Sequence, residues 1–287
     1  MDKNINFPHL GIFLENVGKS VSIGGFEIAY YGIIIGCAFM IGLLIAMRRA
    51  RETGQNPEKY VDFFIYLMIF SILGARIYYV AFSFDNYRGH LIDVFNLRQG
   101  GLAIYGGIIG GVVTSFVFAK VNHMKGSVIL DTIIMGVCNG QILGRWGNFF
   151  NREAFGEYTD GLFAMQLPVS AVRPHEITAL MKEHEVLYNG VQYIQVHPTF
   201  LYEGMWNALV LLVLFLTRNK TKFDGELFLR YLIGYGIGRF FIEQLRTDQL
   251  QIGTTGIPVS QLLSALLVAG SVILTVICRR KKQTEAA

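Results

Sequence analysis

Charge is scarce in this sequence. Asp, Glu, Lys and Arg together make up 16% of its 287 residues, against 52% hydrophobic residues and a mean hydropathy of +0.42. An ordinary soluble domain carries about a quarter charged residues, so this balance excludes one and points to lipid as the main solvent. Cysteine is scarcer still: Cys37, Cys138 and Cys278 lie in three different apolar stretches and form no CxxC pair. That excludes a disulfide framework or a thiolate metal site and leaves three small hydrophobes. His9, His90, His123, His175 and His184 are scattered without ligand spacing, so no metal is expected. No internal repeat of the kind that builds the paired halves of many transporters is visible. The net charge of +4 is modest, and no nucleic-acid partner is expected.

What the chain has in abundance is long apolar windows. They run approximately Val21–Met47, Tyr60–Phe84, Leu102–Ala119, Val128–Trp146, Phe200–Leu216, Leu227–Leu245 and Pro258–Cys278. A helix needs about 20 residues to cross ~30 Å of hydrocarbon, so the sequence reads as an all-α polytopic membrane protein with about seven transmembrane helices. The first window has no basic run before it and no small-residue cleavage site after it. It is expected to be retained rather than removed as a signal peptide.

Lys and Arg sort by side. Arg48, Arg49, Arg51 and Lys59 fall in one short loop, Lys120 and Lys125 in the next alternate loop, Arg218, Lys220 and Lys222 in the next, and Arg279–Lys282 in the tail. The intervening segments carry fewer such residues over a greater length. The positive-inside rule then places the N-terminus outside and the C-terminus in the cytoplasm. Residues 1–287 read as a single integral membrane domain, and residues 147–199, between the fourth and fifth windows, as a small extracytoplasmic head. Within that head Asn189-Gly190 separates Glu185–Tyr188 from Val191–Val196. This is the pattern of a hairpin closed by a type I′ turn, so the head should contain some β-structure.

An ionisable residue in the bilayer centre costs about 2.5–3.5 kcal/mol on insertion scales, which makes such residues candidates for function. Arg76, Arg145, Arg239 and Glu243 are of this kind, with Asp62, Asp131 and Arg230 nearer helix ends. Counted in from the helix ends, the first four share the outer leaflet. Tyr31, Tyr105, His197, Tyr202 and Glu203 fall at the same depth. Tyr235, Arg239 and Glu243 are spaced i, i+4, i+8 and share a slowly drifting helical face that must point away from lipid. An Arg239–Glu243 pair that merely neutralises itself is one reading. The other is an anion site, because Arg145 has no partner close in sequence.

The run Gly144-Arg145-Trp146-Gly147-Asn148-Phe149-Phe150-Asn151-Arg152-Glu153 packs guanidinium, amide and carboxylate groups where a helix leaves the membrane. Arginine suits phosphate because its planar fork is bidentate and always charged, and asparagine bonds hydroxyls in both directions. An interfacial arginine beside a Trp anchor is the plainer alternative. Gly106/Gly110 and Gly107/Gly111 have the small-xxx-small spacing of helix packing. His197-Pro198-Thr199-Phe200-Leu201-Tyr202-Glu203 reads as the cap of the fifth helix, with Pro198 at its first turn and Glu203 favouring its positive end.

In order, the elements Tyr31-Gly32, Gly74-Ala75-Arg76, Gly100-Gly101-Leu102-Ala103-Ile104-Tyr105-Gly106-Gly107, the block from Gly144 to Glu153, His197-Pro198 with Leu201-Tyr202-Glu203, and Tyr235, Arg239, Glu243 and Arg246 at their spacing closely resemble the bacterial phosphatidylglycerol:prolipoprotein diacylglyceryl transferases. The match covers nearly the whole chain. The resemblance implies a seven-helix fold with a small outer head in the bacterial cytoplasmic membrane, with the lipid bilayer, phosphatidylglycerol and prolipoprotein signal peptides as partners and no cofactor. It implies transfer of diacylglyceryl to the thiol of the lipobox cysteine, which forms a thioether and releases glycerol 1-phosphate, as the first step of lipoprotein maturation. Carried onto this chain, the catalytic residues are Arg145, Arg239 and Tyr105. Substrate contacts fall to Arg145, Asn148, Asn151, Glu153, Tyr31, Arg76, His197, Tyr202, Tyr235, Glu243 and Arg246. The chain departs from the family at one position: some members carry His where it has Tyr105, and a phenol is a poorer base than an imidazole towards a thiol near neutrality.

Overall fold

The computed structural model describes residues 3–96, 100–253 and 255–286. Its long helices are α1 (Tyr30–Glu52), α2 (Glu58–Phe82), α3 (Ile104–Val121) and α4 (Gly126–Asn151), then, after a five-residue helix α5 (Ala179–Glu183), α6 (Thr199–Thr217), α7 (Glu226–Glu243) and α8 (Val259–Ala286). Six of them, α1 to α4, α6 and α8, are long and apolar enough to cross a bilayer, and the protein is a multi-pass membrane protein. Helix α7 has the length but carries Glu226, Arg230, Arg239 and Glu243 within 18 residues.

The chain forms two compact units, one of residues 1–42 with 134–287 and one of residues 43–133. In the second unit α2 and α3 pack through glycine. A Cβ on Gly74 would lie 2.5 Å from the Gly106 carbonyl oxygen, so the two backbones touch where no side chain intervenes. This is the packing role expected of the small-residue spacing. Tyr60 at the start of α2 is fully buried and donates to Gln55 Oε1, while Gln55 Nε2 donates to Thr132 Oγ1 at 2.9 Å.

The first unit holds the β-structure. Strands β1 (Ile5–Phe7), β2 (Ile12–Leu14), β5 (Met165–Pro168), β6 (Val186–Tyr188) and β7 (Val191–Val196) form an antiparallel sheet in the order β2-β1-β5-β7-β6. The β6–β7 hairpin matches the expectation, with Asn189 at φ 50° and Gly190 at φ 79°, the double positive φ of a type I′ turn. The sheet is not confined to residues 147–199, since β1 pairs with β5 and brings in the N-terminal segment. Ile5, Leu167, Ile194, Val196 and Met181 fill the core beneath it.

The start of the first window needs correction. Residues 20–29 are not helical: β3 (Ser20–Ile23) and β4 (Phe26–Ala29) form a separate hairpin, and α1 begins at Tyr30. Gly24 and Gly25 both adopt positive φ, 59° and 84°, and the alternating residues around this pair favour a hairpin over a helical turn. Helix α4 also runs further than its apolar window, to Asn151, so Arg145, Asn148 and Asn151 lie in its last turns.

Candidate active site

Helix α4 ends by a backbone device that shapes its polar block. Arg152 takes the left-handed conformation at φ 54°, the Glu153 N–H donates to the Asn148 carbonyl at 3.1 Å, and the Arg152 N–H to that of Phe149 at 3.2 Å. This is a Schellman closure with arginine where glycine is usual. The conformation costs an L-residue about 1–2 kcal/mol. The Arg152 side chain offsets that cost by donating through Nη2 to the carbonyls of Lys3 at 2.5 Å and Val17 at 2.6 Å. The reversal folds Glu153 back onto the helix. Its Oε1 accepts from Asn148 Nδ2 at 3.2 Å and Asn151 Nδ2 at 3.1 Å, while Oε2 accepts from Arg173 Nη2 at 2.6 Å. Asn148 Oδ1 in turn accepts from Arg145 Nη1 at 3.3 Å.

Arg145 also reaches across to α6. Glu203, in the first turns of that helix, is only 3% exposed, and its carboxylate lies 2.7 Å from Arg145 Nη2 and 2.8 Å from Arg239 Nη1. Arg239 Nη2 sits 2.5 Å from Glu243 Oε2, one turn along α7, and Arg246 Nη1 lies 3.8 Å from Glu203. Arg246 grips Asp248 through Nε at 2.9 Å and Nη2 at 2.7 Å. Burial works against the Asp248 charge, but these two bonds outweigh it and hold the carboxyl below the usual range.

Arg145 therefore has a partner after all. It comes from another helix, which no local spacing reveals. With Glu203, Glu243 and Asp248 facing three arginines, charge in the cluster is balanced. Its pull on an anion has to come from N–H donors that these partners leave unspent, since each guanidinium carries five.

The remaining first-unit residues surround these two groups. Tyr31 lies against Gly147, where any Cβ would overlap its ring. Tyr235 stacks on Tyr231 with ring centroids 5.6 Å apart, on the face of α7 that carries Arg239. His197 and Tyr202 meet at 3.3 Å, His197 Nδ1 to the phenol oxygen. Burial pushes the His197 imidazole below its usual range, against the pull of Glu157. Gly156 ties His197 to Arg246: its N–H donates to the His197 carbonyl at 2.9 Å, and it forms an antiparallel bridge with Arg246. A Cβ here would lie 2.7 Å from the Leu245 carbonyl oxygen, so only glycine fits.

Arg76 and Tyr105 belong to the other unit. Arg76 is 7% exposed and donates from Nε to Val94 O at 2.6 Å, from Nη1 to Gly100 O and Gly101 O at 2.9 Å each, and from Nη2 to Asp93 O at 2.6 Å and Asn96 O at 3.2 Å. Those five bonds use all five of its N–H groups. Arg76 thus organises the segment before α3, whose first turn presents Tyr105, 45% exposed and 6.4 Å from the Tyr78 ring.

Glu203, Asp248, Arg152, Arg173 and Gly156 take part in these networks and are not among the expected site residues. The sequence places Glu203 at the depth of the candidate site and at its helix cap without giving it a role, although a lone carboxylate entering an apolar helix is itself a signal. Arg173 and Gly156 carry no such signal, because their positions follow from the head's tertiary path.

The model of the family "Prolipoprotein diacylglyceryl transferase" matches residues 19–277. The chain is 37% identical over 271 residues to the phosphatidylglycerol--prolipoprotein diacylglyceryl transferase of Bacillus cytotoxicus, covering 93% of each chain. It is 38% identical over 268 residues to that of Bacillus anthracis, again 93% of each. With that of Halalkalibacterium halodurans it shares 37% over 259 residues, 88% of this chain and 83% of the relative. A match of this extent, over a helical membrane fold, makes the chain a member of the prolipoprotein diacylglyceryl transferase family.

Proposed function

We propose that the protein transfers the diacylglyceryl group of phosphatidylglycerol to the lipobox cysteine of prolipoproteins, and that the cluster around Glu203 is where the phosphate is held. The cysteine sulfur attacks a glyceryl carbon as thiolate, the bond from that carbon to the phosphate oxygen breaks, and glycerol 1-phosphate leaves with the electron pair. The thiol proton passes to a base or to water. The leaving phosphate gains negative charge as the bond breaks, so donors aimed at it bind the transition state more tightly than the lipid. Arg145 and Arg239 supply those donors. Glu203 holds both guanidiniums at a common distance, and Glu243 fixes the second of them from its own helix.

Asn148, Asn151 and Glu153, already bonded to one another, offer acceptors and donors for headgroup hydroxyls. Tyr31, His197, Tyr202, Tyr235 and Arg246 wall this region, and Arg76 contributes by shaping the segment that leads to Tyr105. A free thiol near neutrality is already a few per cent thiolate, so a strong base is not required. Tyr105 in this reading orients lipid or relays the proton.

The distribution of Lys and Arg supports an N-terminus outside, a cytoplasmic C-terminus, α7 as a seventh span and the sheet as an outer head. Both substrates are then met at the outer leaflet. The observation that carries the proposal is the convergence of Arg145 and Arg239, from two helices, on the buried Glu203. The test replaces Arg145 by Ala and by Lys and measures the mass gain of a lipobox peptide in phosphatidylglycerol membranes. Both variants are expected to lose most transfer, and near-normal transfer by either would overturn the assignment.

A further inference from the structure

Helices α2 and α3 leave a groove along their seam that the site above does not use. It has a volume of about 940 Å³ and is lined only by residues of these two helices and Asn122. Its floor is Gly74, Gly106 and Gly110, where the backbones meet without side chains, and its walls include Ile77, Ile109 and Val113, each more than half exposed. From Asp62 to Phe82 it follows 20 residues of helix, about 30 Å, the full thickness of the hydrocarbon. Towards the Phe82 end it is lined by Tyr78, whose ring centroid lies 6.4 Å from that of Tyr105. At the other end stands Asp62, exposed in the first turns of α2 and without an ion-pair partner within 4.0 Å among the described residues.

We infer that this groove seats the apolar helix of the prolipoprotein signal peptide, with its basic n-region against Asp62. The inference rests on the reading of substrate and orientation given above. Among the residues that line the groove Asp62 alone is charged, so a group seated at that end is favoured when it carries a cation at close range. A signal peptide has the matching order, a positively charged n-region followed by an apolar stretch. A glycine floor lets a third helix approach closely. The lipobox cysteine, which follows the apolar stretch, is then delivered to the Tyr105 end.

The test uses the full-length enzyme in phosphatidylglycerol membranes and a prolipoprotein whose n-region carries lysines. A photo-crosslinking residue at Ile109 or Val113 is expected to capture a Cys→Ser version of this prolipoprotein, and the same residue at the exposed Leu266 of α8 is not. Capture of lipid alone, of a second copy of the enzyme, or of prolipoprotein equally from Leu266 would overturn the inference. In parallel, Asp62→Asn is expected to raise KM about two- to five-fold for the lysine-bearing substrate, with kcat unchanged. A substrate with glutamines in the n-region should show no such change, and equal behaviour of the two substrates would also overturn it. Transfer by the unmodified enzyme is the control: if it is absent, the functional reading fails and the groove with it, whereas transfer without capture sinks the groove alone.

Discussion

Helix α7 carries a knot of arginine and carboxylate at each end, and the two differ in what they leave open. At the first end Glu226 is fully buried. It accepts from Arg230 at 2.6 Å, from Arg279 of α8 and from the Lys222 N–H at 2.6 Å, while Arg230 also donates to the Thr217 and Lys220 carbonyls at 2.9 Å each. Every strong group there is answered by backbone or counter-charge, and the result is a clasp joining α6, α7 and α8. At the second end Arg239 and Arg145 meet Glu203 and Glu243, with no backbone carbonyl among their partners in the described residues. Arg76, in the other unit, resembles the first case, with all five donors closed by carbonyls. Arginines bound by their own backbone hold the fold together, whereas those held only by carboxylates keep N–H groups to offer a ligand.

The largest effect that would break this comparison is at Arg239. Arg239→Ala is expected to lower kcat by about 10²–10³-fold, and Arg239→Lys should recover little because a point charge does not reproduce the fork. Turnover per folded molecule measures both, and normal turnover in the alanine variant would erase the distinction between the two ends. Glu226→Ala should instead cost about 3–5 kcal/mol of stability, seen as a lower Tm in detergent or lipid. Its turnover per folded molecule should stay near normal, and a selective loss of kcat there would reverse the assignment. Glu203→Gln sharpens the contrast. It keeps an acceptor of the same shape but loses the charge that aligns two guanidiniums, so kcat should fall about ten- to a hundredfold with a smaller change in KM for lipid. Gly156→Ala, which forces a Cβ towards the Leu245 carbonyl, should cost about 1–3 kcal/mol, again read as Tm. The smallest effect is expected at Tyr105→Phe. General acid–base groups contribute about 10²–10⁴-fold, so a loss well under about a hundredfold supports an orienting role, and complete loss with lipid binding intact would make the phenol a direct proton carrier.

Much of the architecture was legible because the bilayer imposes a length on apolar segments and the sequence obeys it. The β6–β7 hairpin was legible because Asn189-Gly190 has only one comfortable turn. The same chemistry was present at Gly24-Gly25 and was masked by the apolar residues on either side, which extended the first window over a hairpin. The pairing of β1 with β5 had no local signal, since the partners are more than 150 residues apart. In the site, the i, i+4 pair of Arg239 and Glu243 followed from helical spacing. The arginine closure of α4, which turns Glu153 onto Asn148 and Asn151, did not, because left-handed backbone at a non-glycine is stabilised by contacts with the N-terminal segment.

By itself the sequence determined that the chain lives in lipid, how many long helices it forms, and which ionisable residues lie within them. Those properties follow from local composition and from the cost of placing charge in hydrocarbon. The tertiary structure alone decided which of these residues face one another. Arg145 and Arg239 became a pair only through Glu203, and Arg76 became a scaffold only because five carbonyls surround it. A guanidinium's role depends on how many of its donors are already spent, and the partners that spend them come from elsewhere in the chain.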